Sequence, residues 1–377
     1  MPSSPSTMVF PGGKTRCIYS SSGPYSFQVW PGASDHLVIN FQGGGACWNQ
    51  ASTGGSFCTL KVSPEQEVGA FDRTNEENQF IKYTIVYINY CSGDMHAGNV
   101  TRSYNDPDGN PIVQTGIYNV ESALSWIQTQ QELGTLANKF EKLVIMGDSA
   151  GSIASQVWSW HLLQRFSYES AAVIPDSYIG VFPPNSQGPL IYEYGICNAL
   201  TLPQLNLPNY LYQQCIQQNL TLQTVMEYWF PTFSSTPFAY LQSKSDAVQI
   251  SYYIALAISV GDTPVMTEDE FYNKANAIMA QYNRFENFLV YLVDGTQHTY
   301  TPNKHYYTAG PDGPREKGTV GDFPMLDDWT YIFPLSKGET ASTVCDGELK
   351  SSTQKVGDPL SPTYCDSEVY PKTYRQI

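Results

Sequence analysis

The stretch KLVIMGDSAGSIASQVWSWHLLQRF, residues 142–166, decides the fold. It opens with a short, partly β-branched apolar run, breaks at Gly147, and continues with helical patterning from Ser152. Between the two lies Gly147-Asp148-Ser149-Ala150-Gly151, a G-x-S-x-G motif. Alone, that motif is also compatible with a glycine-rich turn and a capping serine. Flanked by a strand and a helix, it reads as a nucleophile elbow. The sharp turn lifts the Ser149 hydroxyl above a sheet, and small neighbours let strand and helix approach. The helix N-terminus adds a field that favours negative charge beside Ser149.

Further short apolar runs lie on either side: HLVINF (36–41), YTIVYINY (83–90), SYIGVF (177–182) and FLVYLVDG (288–295). Near-continuous runs of this kind read as strands buried on both faces of a largely parallel sheet. Helical patterns alternate with them at 118–131, at 152–166 and at 267–285, the last opening with a capping box from Thr267 to Glu270. The alternation predicts an α/β chain with a mostly parallel, doubly wound sheet and helices on both faces. We expect one domain over 1–377. Residues 183–235 read as an inserted cap region above the sheet's C-terminal edge. Residues 300–377, rich in Gly, Pro, Ser and Thr, read as a tail packed on the body.

Composition narrows the function. The 377 residues are 41% hydrophobic, enough for one large core or two modest ones. Charged residues make up only 15%, yet the net charge is −15, which argues against nucleic acid or an anionic membrane as a partner. No apolar run is long enough to span a bilayer. The 27 tyrosines suit platforms for sugars or apolar ligands as well as ordinary core packing. The eight cysteines are scattered without a C-x-x-C pair, which disfavours a zinc or redox site. An even count in a Gly- and Pro-rich chain points to disulfides and an oxidising compartment. Sequons at Asn99 and Asn219 are compatible with secretion. The N-terminal MPSSPSTMVF does not read as a signal peptide; it reads as the start of a mature chain with an added Met.

A serine nucleophile needs a base, and in this architecture the order is Ser, acid, His. Beyond residue 166 the histidines are His298 and His305. His298 follows the last convincing strand, where a loop can return it over the sheet; His305 lies seven residues further on. We take His298. For the acid, Asp246 closes the strand-like PFAYLQSKSD (237–246), with Asp176 one strand earlier as the alternative. Asp262, Asp269 and Asp294 suit helix starts or turns. Acyl transfer also needs oxyanion donors, each worth about 3 kcal/mol. One is the N–H of Ala150; another belongs in a glycine-rich loop after an early strand, and VINFQGGGACWNQ (38–50) supplies one. Trp48 beside it is a candidate wall for the acyl or sugar site, or a core residue. In CSGDMHAGN (91–99), Asp94, His96 and Asn99 could contact substrate or order the oxyanion loop. A structural role in the turn is favoured, because His96 precedes Ser149 in the chain.

These blocks together resemble the pectin acetylesterases, the family that also includes the animal Wnt deacylase Notum. GGGACWN is similar to the family's oxyanion segment, and GAFDRTNEENQF and YINYCSGDMHAGN to two following blocks. GDSAGS is similar to its nucleophile motif, KSDAVQIS to its acid block and DGTQHTYT to its histidine block. The resemblance runs from about residue 10 to 300. The family more often has Gly where Ser152 stands, and the tail past about 310 resembles nothing in it. The resemblance implies an α/β-hydrolase fold, no metal and no cofactor. It implies a Ser149–Asp246–His298 triad, favouring Asp246 over Asp176, and an oxyanion hole of Gly44, Gly45 and Ala150. It also implies Cys17–Cys91, Cys47–Cys58, Cys197–Cys215 and Cys345–Cys365 disulfides.

The expected function is a secreted serine carboxylesterase removing O-acetyl groups from a pectin-like polysaccharide. A deacylase of longer-chain or lipid esters is the alternative, its pocket shaped by the 183–235 insertion; an inactive carbohydrate-binding relative ranks below both. The partner is the ester substrate, and oligomeric state is not legible.

Overall fold

A computed structural model describes residues 6–55, 57–199, 207–315, 324–335, 340–344 and 373–375. The chain enters through β1 (Thr7–Val9), β2 (Phe27–Trp30), β3 (Ala33–Phe41) and, after the short helix α1 (Gln50–Gly54), β4 (Tyr83–Ile88). A two-stranded hairpin, β5 (Val100–Asn105) and β6 (Pro111–Gln114), leads into α2 (Gly116–Glu132). Then come β7 (Lys139–Asp148), α3 (Ala150–Arg165) and β8 (Ser167–Asp176). Among the described residues, the helices α4 (Gln187–Glu193), α5 (Ile196–Ala199), α6 (Asn209–Ile216) and α7 (Leu222–Thr232) follow. The sheet resumes with β9 (Phe238–Ser243), α8 (Ala247–Ser259), α9 (Glu268–Tyr282) and β10 (Phe288–Val293), and α10 (Leu326–Leu335) comes later.

The main sheet has the order β1-β2-β4-β3-β7-β8-β9-β10. Only the β1–β2 and β2–β4 pairings are antiparallel; from β4 to β10 the strands run parallel. This is an α/β-hydrolase fold. In β4, β9 and β10 every residue is buried, as the continuous apolar runs require. Alternate side chains divide between two cores. Leu37, Ile39, Leu143 and Ile145 face a core completed by α2, α3 and α9. Val38, Val144, Met146 and Tyr291 face a second, completed by Phe71, Phe80, Tyr300, Tyr306 and the α10 residue Trp329. The register aligns the C-terminal ends of adjacent strands, with Phe41 opposite Gly147 and Asp148 opposite Asp176. Loops leaving β3, β7, β8, β9 and β10 therefore emerge on one edge.

One expected strand is corrected. SYIGVF (177–182) is not a strand; the element is the preceding Ser167–Asp176. Ser177 at φ 64° and Gly180 at φ 102° turn the chain out of the extended conformation. The less β-prone SYESAAVIPD pairs instead along β7, where tertiary pairing overrides intrinsic propensity. The capping box at Thr267 and Glu270 is present.

Among the described residues three disulfides are formed: Cys17–Cys91, Cys47–Cys58 and Cys197–Cys215. Cys345 and Cys365 lie outside the described residues. Beyond residue 315, Trp329 tilts against Tyr291 at 5.3 Å, and Val344 bridges to Tyr291 in β10.

Candidate active site

Ser149 sits between β7 and α3 at φ 55° and ψ −120°. A non-glycine residue holds that conformation only where its surroundings enforce it. Its N–H donates to the Asp176 carbonyl at 2.9 Å, and its own carbonyl accepts from Ser152 N–H at 2.9 Å. Close approach explains the motif's glycines: a Cβ on Gly151 would strike the Phe41 carbonyl, and one on Gly147 would strike Gly151. The Ser149 hydroxyl makes no cap bond to its own helix.

Asp246 is fully buried and caps α8. Its Oδ1 accepts from the Val248 N–H at 3.0 Å and the Gln249 N–H at 2.9 Å, and its Oδ2 accepts from Gln249 Nε2 at 2.9 Å. His298 Nδ1 lies 3.0 Å from Oδ1 and 2.8 Å from Oδ2. An acceptor-only carboxylate on Nδ1 selects the tautomer protonated there, leaving Nε2 as an acceptor. That Nε2 has no hydrogen-bond partner among the described residues, although it is shielded from solvent.

The glycine loop turns away from β3 and bridges to Cys58. The bridge uses Ala46 N–H to the Phe57 carbonyl at 3.0 Å and Thr59 N–H to the Gly44 carbonyl at 2.8 Å. It leaves the Gly44 and Gly45 N–H groups without a protein acceptor among the described residues. The Ala150 N–H, on the first helical residue after Ser149, likewise has none there. Gly45, Trp48, Ser149, Ala150, Tyr252 and His298 line one cavity of about 60 Å³. Trp48 lines this cavity, is only 8% exposed and donates its Nε1–H to Ser259 Oγ at 2.9 Å.

A pectinacetylesterase family model matches residues 11–305. The chain belongs to the pectinacetylesterase family. It is therefore an ester hydrolase of the carboxylesterase kind. Its structure is similar to that of the Wnt deacylase Notum from Drosophila, with a TM-score of 0.56 and 16% identity over 81% of this chain and 88% of that one. At that identity the likeness concerns the fold. No curated protein matches the chain.

Other candidates in this pectinacetylesterase-family chain occupy separate places. Asp176 does not hydrogen-bond His298; its carboxylate accepts from the Tyr300 and Thr301 N–H groups and from the Thr301 and Ser177 hydroxyls. His305 bonds Asn303. Asp294 pairs with Lys244, and the Asp262 carboxylate accepts from the Thr263 N–H. His161 on α3, which the sequence reading passed over, sits against Glu121 and Arg165.

His96 is buried, and desolvation lowers its pKa to about 4, so the ring is neutral. Its Nε2 donates to the Gln42 carbonyl at 2.8 Å, immediately before the glycines, while the ring stacks on Tyr90. Asp94 accepts from Ser92 Oγ and from the Gly116 N–H. Asn99 bonds Tyr194 through its backbone. None of the three lines the cavity; they order the turn and the loop beneath it. Asp148 accepts from the Gly43 N–H at 3.1 Å, and burial, then the charges of Asp176 and Glu65, hold its pKa well above the ordinary carboxylate value.

Sequence reasoning missed Tyr252 and Gln249. Gln249 stands three residues after its partner Asp246, a spacing that a cap search can find. Tyr252 meets Phe57 across 195 residues, which leaves no local signal.

A second, apolar cavity of about 120 Å³ lies beneath α4, α6 and α7. It shares Met95, Ile153, Phe182 and Leu190 with the Ser149 cavity. Asp35, His36 and Glu141 form a group with metal-ligand spacing, but at the opposite, N-terminal ends of β3 and β7.

Proposed function

We propose that this protein is a secreted serine carboxylesterase whose triad is Ser149, His298 and Asp246, and that it removes O-acetyl groups from a pectin-like polysaccharide. Ser149 Oγ attacks the acyl carbon and passes its proton to His298 Nε2. The carbonyl oxygen becomes an oxyanion facing the Gly44, Gly45 and Ala150 N–H groups, whose preorganised donation contributes roughly 10²–10³-fold per donor. Collapse breaks the ester C–O bond, and His298 passes the proton to the departing sugar oxygen, which leaves as a hydroxyl. Water then adds to the acyl-enzyme with His298 as base, releasing acetate and regenerating Ser149. Asp246 holds the imidazole in the required tautomer and stabilises the imidazolium.

The observation that carries this reading is the asymmetry of His298. Nδ1 is bound to both Asp246 oxygens, while Nε2 has no partner among the described residues and His298 lines the cavity that Ser149 also lines. Three disulfides support an oxidising compartment. Residues 183–235 act in this reading as a cap within a single hydrolase domain. Acetate release from acetylated pectin, xylan and chitin tests the substrate. Ser149→Ala tests the mechanism: it abolishes release, and unchanged turnover would discard the triad.

The second cavity favours a second reading, in which the acyl chain is longer than acetyl. Its apolar lining continues from the Ser149 cavity through Met95, Ile153, Phe182 and Leu190. A series of p-nitrophenyl esters separates the two. Falling kcat/KM beyond acetate supports the acetylesterase; a flat or rising response supports the longer chain.

A further inference from the structure

We infer that Asp176 and Ser177 are positioning residues that clamp the His298 loop against the nucleophile elbow. The inference rests on the reading of His298 as the base and adds to it a device that no triad residue supplies.

Asp176 ends β8, next to β7 and directly opposite Asp148. Its backbone carbonyl accepts from the Ser149 N–H at 2.9 Å. Its side chain reaches the other way. Oδ2 accepts from Tyr300 N–H at 2.8 Å, Thr301 N–H at 2.7 Å and Thr301 Oγ1 at 2.7 Å. Oδ1 accepts from Ser177 Oγ at 2.7 Å. Ser177 Oγ in turn accepts from the Thr299 N–H at 2.8 Å. The three residues immediately after His298 are thus each bound to Asp176 or Ser177, and Asp176 also holds the residue that carries the nucleophile.

Asp176 and Ser177 are both fully buried, so these bonds face no competition from water. A carboxylate accepting several charge-assisted bonds is among the stronger polar anchors a fold can build. The loop needs an anchor: Thr299 sits at φ 63°, a conformation rare for a β-branched residue. Ser177, at φ 64°, is itself held by its N–H donating to the Leu241 carbonyl at 2.8 Å. A base misplaced by about 1 Å costs on the order of 10²-fold in rate. The clamp therefore belongs to turnover and leaves substrate binding alone.

The experiment compares wild type, Asp176→Asn, Ser177→Ala and Ser149→Ala on p-nitrophenyl acetate. It also records the downfield His298 Nδ1–H resonance of ¹⁵N-histidine-labelled protein. We expect Asp176→Asn to lower kcat about 10- to 100-fold with KM within about twofold. Ser177→Ala lowers it less, and both shift or broaden the resonance. Should Asp176→Asn not fold, Ser177→Ala, which keeps the carboxylate, carries the same test. An inactive Ser149→Ala beside clamp variants with wild-type kcat and an unmoved resonance overturns the clamp and leaves the triad standing. Lost activity with the resonance unmoved also overturns the clamp. An active Ser149→Ala overturns both.

Discussion

The Lys244 ammonium meets the Asp294 carboxylate at 2.5 Å, with the two side chains 0% and 5% exposed. Lys244 lies two residues before Asp246, and Asp294 four before His298. The ion pair therefore ties together the loops that leave β9 and β10. Backbone bonds continue the tie: Lys244 N–H to the Val293 carbonyl at 2.9 Å, and Ser245 N–H to the Gly295 carbonyl at 3.1 Å. Removing one member strands a buried charge, which typically costs about 3–5 kcal/mol, whereas replacing both with apolar groups is often neutral. Lys244→Met should lower stability by about that amount in urea unfolding, and Lys244→Met with Asp294→Leu should recover most of it. A double variant as unstable as the single would show that the charge pair is not the source.

Gly45 has a φ of 73°, and a Cβ there would fall on the Tyr252 hydroxyl and the Phe57 carbonyl. Gly45→Ala is expected to displace the proposed oxyanion amides and reduce kcat roughly 10²-fold or more. Gly134 has nearly the same φ, 74°, with nothing within 4 Å of an added Cβ. Gly134→Ala should cost only the torsional term, about 1 kcal/mol, with activity unchanged. Equal kinetic effects from the two would remove the oxyanion loop from the mechanism.

Protonation of His96 should destabilise the fold. The ordinary histidine pKa is near 6.5, and burial lowers this one to about 4. Between those values the unfolded chain binds the proton that the folded chain refuses. The stability His96 contributes is therefore present above pH 6.5 and is lost as pH falls towards 4, about 3 kcal/mol in all. The buried carboxyls of Asp94, Asp148 and Asp176 are raised and act in the opposite sense, favouring the fold as pH falls. The difference between wild type and His96→Gln isolates the histidine. The stability of that variant, measured by thermal unfolding, should fall less steeply from pH 6.5 to 4.5. Parallel curves would mean that His96 takes up its proton as readily in the folded chain as in the unfolded one, and that burial does not lower its pKa.

The three disulfides should contribute unequally. Cys17–Cys91 closes a separation of 74 residues, against 11 for Cys47–Cys58 and 18 for Cys197–Cys215. Chain-entropy estimates give about 4 kcal/mol for the long loop and about 3 for each short one. Ser replacement of Cys17 and Cys91 should lower the Tm most. Replacing Cys47 and Cys58 should cost less stability but more activity, because Gly45 bridges Cys58 directly.

Much of the architecture was legible because its signals are local. A strand that ends in Gly-Asp-Ser-Ala-Gly and restarts as a helix needs no distant information to be read. The Thr267–Glu270 capping box is equally local. The SYIGVF run misled because its β-branched and aromatic residues satisfy strand propensity. Two left-handed torsions and the pairing of its upstream neighbour decided otherwise. The second cavity was beyond reach, since its wall gathers residues from Met95 to Trp229.

By itself the sequence determined the chemical types and their order: Ser149 on a turn, carboxylates after strands, a histidine after the last one, bare glycines after an early one. It ranked Asp246 ahead of Asp176, which stayed the alternative because it too lies between Ser149 and His298. Only the tertiary structure decided which carboxylate touches the imidazole. β9 and β10 are neighbours in register, so their C-terminal loops run side by side and carry Asp246 to His298 across 52 residues. β8 lies one strand further away, and Asp176 meets the loop just beyond the ring. Strand order is set by pairing between distant segments, and that pairing is what one chain read in line does not display.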